Sequence, residues 1–311
     1  MTIDHASANP AVAELPQGNL AYRAAGPAAS SRPPVVFVHG VLTDARLWEP
    51  VAGRLASAGI RSYAPTLPLG SHRHPMNTGA DLSPVGVAAL TMDFIRALGL
   101  SDVTIVGNDT GGAICQVMLG GDTSRIGAAV LTDCDAFSTF PPRALAPLFL
   151  ALRHPGVVAC LTLGLRSGAV RHGPLAYGPL SSGSLDRGLT RDWVRPLASR
   201  AIRRDLAKVA RGVRPRVLLD AATRFGQFTG PVRIVWGEAD PYFRPELGRR
   251  LSEAFPHATL TTVPAGRTFL PLDHPGEVAD EIAAASQRLP AWRSPGWGVR
   301  GGTRAGWVRS G

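Results

Sequence analysis

The residues that most constrain the fold of this chain are Val103-Thr104-Ile105-Val106-Gly107-Asn108-Asp109-Thr110-Gly111-Gly112-Ala113-Ile114-Cys115-Gln116. A β-branched run with the character of a buried strand enters a glycine-flanked turn and leaves it as a helix, with an aspartate at the apex. A corner that tight needs small neighbours, and it lifts the apex side chain above the end of the sheet. A carboxylate held there is a candidate nucleophile toward an alkyl carbon, with which it forms an ester. No Gly-x-Ser-x-Gly sequence occurs in the 311 residues, so no serine competes for the role.

On both sides of this corner strands and helices alternate, as in a mostly parallel sheet covered on both faces. The pattern predicts strands over residues 19–24, 34–38, 61–64, 103–106, 127–132, 232–236 and 258–263. It predicts helices over 48–58, 84–98, 110–118, 245–254 and 275–287, the second opened by Ser83 as cap and Pro84 in the first turn. Between Phe140 and Gly230 the alternation gives way to short helical pieces, over 143–152, 191–211 and 216–225, separated by Gly and Pro. That segment is expected to be an inserted lid, with the Gly/Pro/Ser stretch His172–Gly188 its most mobile part. The expected organisation is an N-terminal extension (1–17), a core made of 18–139 and 230–289, a helical lid (140–229) and a disordered basic tail (290–311).

Several landmarks, in this order, resemble the α/β-hydrolase superfamily: His39-Gly40-Val41 after an early strand, the corner at Asp109, the helical insertion, and Trp236-Gly237-Glu238-Ala239-Asp240-Pro241 near the end. An aspartate where esterases and lipases carry serine is similar to the branch that includes haloalkane dehalogenases and epoxide hydrolases. The resemblance implies an eight-stranded, mostly parallel sheet with a helical lid, and hydrolysis of a small apolar substrate through an alkyl-enzyme ester. It implies Asp109 as nucleophile, Asp240 as the acid of the triad, with Asp133 and Asp135 as alternatives, and the backbone N–H groups of Val41 and Thr110 as an oxyanion or halide site.

The triad's histidine is where the pattern departs. The family places it in a Gly-His-x-Phe-like sequence after the last strand. Here the chain runs Gly266-Arg267-Thr268-Phe269, which puts Arg267 in that register, and a guanidinium takes no proton from water. Arg267 is therefore expected to pair with Asp109 or Asp240 and lower that carboxylate's pKa. His274, just before Pro275, is the candidate displaced base, and His39, His72 and His74 are candidate pocket residues. No tryptophan follows Asp109, and Tyr177 is the only lid tyrosine, so both activities lack their strongest fingerprint. The alternative is a ligand-binding or lyase-like member of the same fold with an incomplete triad.

Composition limits the remaining choices. Cys115, Cys134 and Cys160 have no disulfide or metal-ligand spacing, and no metal or cofactor is expected. The N-terminus lacks the basic and apolar runs of a signal peptide, and a cytoplasmic location is expected. The net charge of +10 is carried by 33 basic residues of which only Lys208 is lysine; they are scattered apart from four arginines in the tail. That dispersion predicts a small-molecule substrate rather than nucleic acid or membrane as partner, and leaves oligomeric state open.

Overall fold

A computed structural model of the chain describes residues 10–287. Eight strands form one sheet: β1 (Ala11–Leu15), β2 (Gly18–Ala25), β3 (Val35–Val38), β4 (Ser62–Pro65), β5 (Val103–Asp109), β6 (Ile126–Cys134), β7 (Val232–Gly237) and β8 (Ala258–Val263). Their spatial order is β1-β2-β4-β3-β5-β6-β7-β8. The pairs β1–β2 and β2–β4 are antiparallel, and every other pair is parallel. Residues 11–15, expected to lie in an extension, instead form the edge strand β1, which a turn at Pro16-Gln17 returns onto β2. The tail expected from residue 290 lies outside the described residues.

The helices of the core are α1 (Glu49–Ser57), α2 (Pro84–Ala97) and α3 (Thr110–Leu119), with α10 (Pro245–Glu253), α11 (Leu270–Asp273) and α12 (Pro275–Ser286) after the lid. Alternate residues of each parallel strand supply the two faces. Val36, Val38, Val103 and Ile105 pack with α2, α3 and α10, while Val35, Phe37 and Val106 pack with α1 and α12. β5 is buried throughout except at its last residue, so the corner at Asp109 rises from the middle of the sheet.

Between β6 and β7 lie the lid helices α4 (Ala146–Leu152), α5 (Pro155–Leu165), α6 (Gly168–Arg171), α7 (Arg187–Val194), α8 (Arg200–Gly212) and α9 (Pro215–Ala222). The predicted helix over 191–211 is broken at Pro196 by a short 3-10 turn. The apolar segments 143–152 and 155–165 bend by 113° at their junction, and among the described residues no single helix is long and apolar enough to cross a membrane.

Polar contacts fasten this lid to the core. Asp205 of α8 is fully buried; it accepts from His72 Nε2 (3.2 Å) and the Met76 N–H (2.9 Å) of the loop after β4, and from the Arg204 guanidinium. Trp193 Nε1 donates to Asp44 (3.0 Å), and the Tyr177 hydroxyl donates to the Leu42 carbonyl. Within the stretch 172–188, the Ser181 hydroxyl and Ser182 N–H both donate to the Asp273 carboxylate at 2.7 Å.

Candidate active site

The corner at Asp109 is built by the absence of side chains around it. Asp109 has φ 53° and ψ −130°, a left-handed conformation rare for any residue but glycine. A methyl group on Gly111 would meet the His39 carbonyl oxygen at 2.6 Å, and one on Gly40 would lie 2.8 Å from Asp109 Cβ and Cγ. Glycine at these two positions lets the loop after β3 close against the carboxyl. From Val103 to Gln116, Asp109 is the only residue that is not fully buried; it is half-buried.

Burial is the largest influence on this carboxyl and raises its pKa. The nearby Asp240 carboxylate raises it further, and hydrogen bonding from the Thr110 and Val41 backbone N–H groups lowers it; the balance is about 7. Val41 and Thr110, singled out in the sequence, thus converge on Asp109. Their N–H groups favour its anionic form.

Asp240, just beyond β7, is buried, and its carboxylate is fully engaged. Oδ1 accepts from the Tyr242 and Phe243 N–H groups (2.7 and 2.8 Å), and Oδ2 accepts from the Thr268 hydroxyl at 2.6 Å. The side chain that reaches the acid is therefore Thr268, one residue beyond the register expected for the base. Arg267 instead donates from Nη1 to the Ser181 carbonyl (3.3 Å) and forms no ion pair with Asp109 or Asp240 among the described residues. Its charge has a lowering effect on Asp240, but burial outweighs it and the Asp240 pKa is raised, opposite to expectation.

The histidines lie away from that contact. His274 opens α12 with Nδ1 3.5 Å from Glu277, so the candidate displaced base faces its own helix. His39 is buried; its Nε2 accepts from the Leu67 N–H (2.8 Å) and its Nδ1 donates to the Gly40 carbonyl (2.9 Å), which shapes the loop that carries Val41. Burial lowers its pKa to about 4, leaving it neutral. His72 is consumed in the Asp205 contact, and His74 is exposed. Among the described residues no group of three or more His, Cys, Asp or Glu side chains could hold a metal ion.

The alternative acids complete a carboxyl cluster. Asp133 accepts from the Gly237 N–H (2.9 Å) and Asp135 accepts from the Thr110 hydroxyl (3.5 Å), both fully buried. Burial pushes both pKa values well up, with Asp240 adding to the rise at Asp133 and Asp109 to that at Asp135. Among the described residues Asp135 Oδ1 has no hydrogen-bond partner.

A profile of the alpha/beta hydrolase family matches residues 35–281. The chain belongs to this family. Among solved structures, a haloalkane dehalogenase from Bradyrhizobium elkani is similar at 20% identity and a TM-score of 0.72, with 90% of this chain and 99% of that one covered. A membrane phospholipase A described as a bacterial virulence factor is similar at 16% identity and a TM-score of 0.68, covering 90% and 86%. At such identities the likeness is one of fold. No curated protein matches the sequence.

Asp109 stands at the apex of the corner, and Thr268 is the side chain that meets Asp240 from the turn after β8. Thr268 escaped the sequence reading because registers count residues, whereas the short turn after β8 decides which side chain points at Asp240. The fully buried Phe269 beside it was the available signal. Phe269 packs against Trp193 and Tyr177 of the lid (ring centroids 5.8 and 6.3 Å).

Proposed function

We propose that this α/β-hydrolase acts on a small apolar molecule through Asp109. One carboxylate oxygen attacks a saturated carbon, the bond from that carbon to halide or epoxide oxygen breaks with its electron pair leaving on that atom, and an alkyl ester of Asp109 forms. The observation that carries this reading is Asp109 half-buried at a strained left-handed corner whose other residues are buried, with two backbone N–H groups acting on its carboxyl. A helix cap needs neither the strain nor the flanking glycines.

Hydrolysis of the ester requires water to lose a proton as it attacks the acyl carbon. The Thr268 hydroxyl stands against the acid and does not serve as that base. The ester is therefore expected to persist. Intact-mass measurement after exposure to alkyl bromides and terminal epoxides, with peptide mapping, is expected to show one adduct on the peptide containing Asp109, absent in Asp109→Asn. Neither adduct nor product over a broad panel would reject the proposal.

One observation favours a second reading. Among the described residues the donors to Asp240 are Thr268, Tyr242 and Phe243 and no imidazole is oriented by the acid, an arrangement suited to a binding protein that keeps the fold without turnover. Saturable binding of an apolar ligand with no adduct would favour it.

A further inference from the structure

Beside the carboxyl cluster, the loops after β6 and β7 and the first turns of α10 and the lid enclose an open cleft of about 730 Å³. It begins where the candidate site ends: Ser138 follows Asp135 by three residues, and Tyr242 follows Asp240 by two. Three guanidinium groups line it, those of Arg143, Arg244 and Arg250. None of the three forms an ion pair with a carboxylate among the described residues. Most other arginines that face the core or the lid are spent on carboxylates or carbonyls, as Arg46, Arg171 and Arg204 are. The single acidic residue in the lining, Glu246, lies 3.4 Å from Arg249, which is not part of the lining.

Further features suit an anion. Arg244 is the N-cap of the nine-residue helix α10, with no side-chain cap among the described residues; Pro245 has no N–H and the Leu247 N–H donates to the Arg244 carbonyl (2.9 Å), so in the first turn the Glu246 N–H is the one left to face the cleft. The Arg250 guanidinium sits 4.1 Å from the centre of the Phe137 ring, which holds it in place while leaving its donors free. Phe137 itself is in a left-handed conformation (φ 51°) within a tight turn closed by Ala136 and Thr139, and Ser138 at its tip adds a hydroxyl to the lining.

We propose that this cleft binds a small molecule through a dianionic phosphate ester group. Three guanidinium groups against one carboxylate leave an excess of positive charge that a dianion matches and a single carboxylate does not. The planar fork of arginine also matches phosphate oxygens in pairs. The site is separate from the chemistry at Asp109 and does not depend on it.

The test is calorimetric titration of the full chain at pH 8 and constant ionic strength, with methyl phosphate as the dianion and acetate as the monoanion. One methyl phosphate is expected to bind per chain. Arg244→Gln and Arg250→Gln are each expected to weaken it about tenfold or more, the loss of a charge-assisted hydrogen bond. Glu246→Gln is expected to tighten it, and Asp109→Asn to leave it unchanged, which separates this result from the fate of the nucleophile. Arg96→Gln removes the same charge from a residue paired with Asp93 and Asp122 outside the cleft, and is expected to change affinity less than about threefold. Absence of saturable binding, equal affinity for acetate, or an equal loss in Arg96→Gln would each overturn the proposal. Because the three cleft arginines are exposed, their variants are expected to melt as the parent does, and Arg244→Gln alone decides the question if Arg250→Gln unfolds.

Discussion

Asp109 combines a strained backbone with a carboxyl that the surrounding structure holds near half-ionisation at neutral pH. Only the anion is nucleophilic, so the rate of ester formation is expected to rise with pH through about 7 and level off above it, as read by stopped reactions and intact mass. A flat profile from pH 5 to 9 would mean that Asp109 is not the attacking group. Gly40→Ala places a methyl group against the Asp109 side chain, 2.8 Å from Cβ and Cγ, so the corner or the loop bearing Val41 must move. Adduct formation is expected to fall about a hundredfold, at a stability cost of about 1–3 kcal/mol. Thr268→His offers the complementary gain: an imidazole at that position can take the Asp240 contact, and the ester is expected to turn over. The buried threonine site makes the substitution cost about 1–3 kcal/mol, measurable by denaturant unfolding, so release of product from the preformed adduct is the decisive readout.

Among the elements, the lid owes its position to a few buried polar contacts as well as to apolar packing. Asp205 on α8 joins His72, the Met76 N–H and Arg204 at one fully buried carboxylate, and those hydrogen bonds outweigh burial to keep its pKa low. A carboxyl whose folded pKa is depressed stabilises the fold above its unfolded pKa of about 4, and that contribution is lost as pH falls through the folded value. Asp205→Ala leaves three donors without their acceptor and is expected to cost about 3–5 kcal/mol at pH 7. Limited proteolysis should then cut first within α4 to α9, and cutting that begins elsewhere would show that the latch does not hold the lid. Sequence patterning marked a helical insertion between the strands now numbered β6 and β7, with breaks at Gly and Pro residues. It gave no sign of the latch, whose members lie 133 positions apart in the chain.

For the whole molecule, the buried carboxyls at the ends of β5, β6 and β7 set the pH response. Asp109, Asp133, Asp135 and Asp240 all have pKa values raised by burial, so the folded state holds protons that the unfolded chain releases above about pH 4. Stability from these groups is complete below that pH and is lost as pH rises through their folded values, that of Asp109 at about 7. Asp135→Asn keeps an acceptor for the Thr110 hydroxyl and removes the ionisable group. It is expected to stabilise by about 1–3 kcal/mol at pH 8, raising Tm by several degrees, and to change little at pH 4. Equal effects at both pH values would show that Asp135 is not held protonated by the fold.

What the sequence determined by itself was the local chemistry of the backbone. Apolar, β-branched runs alternating with helical segments marked seven of the eight strands, proline and serine marked helix starts, and the glycines around Asp109 marked the corner, because each signal depends on neighbours a few residues away. The edge strand β1 was missed since its apolar residues alternate over only five positions beside a polar turn. Tertiary structure alone decided which side chain meets Asp240, that Arg267 turns to the lid, that His72 serves as an anchor and that four aspartates share one region. Those outcomes depend on where distant loops meet and on how deeply a charge is buried, and both are properties of the packed chain.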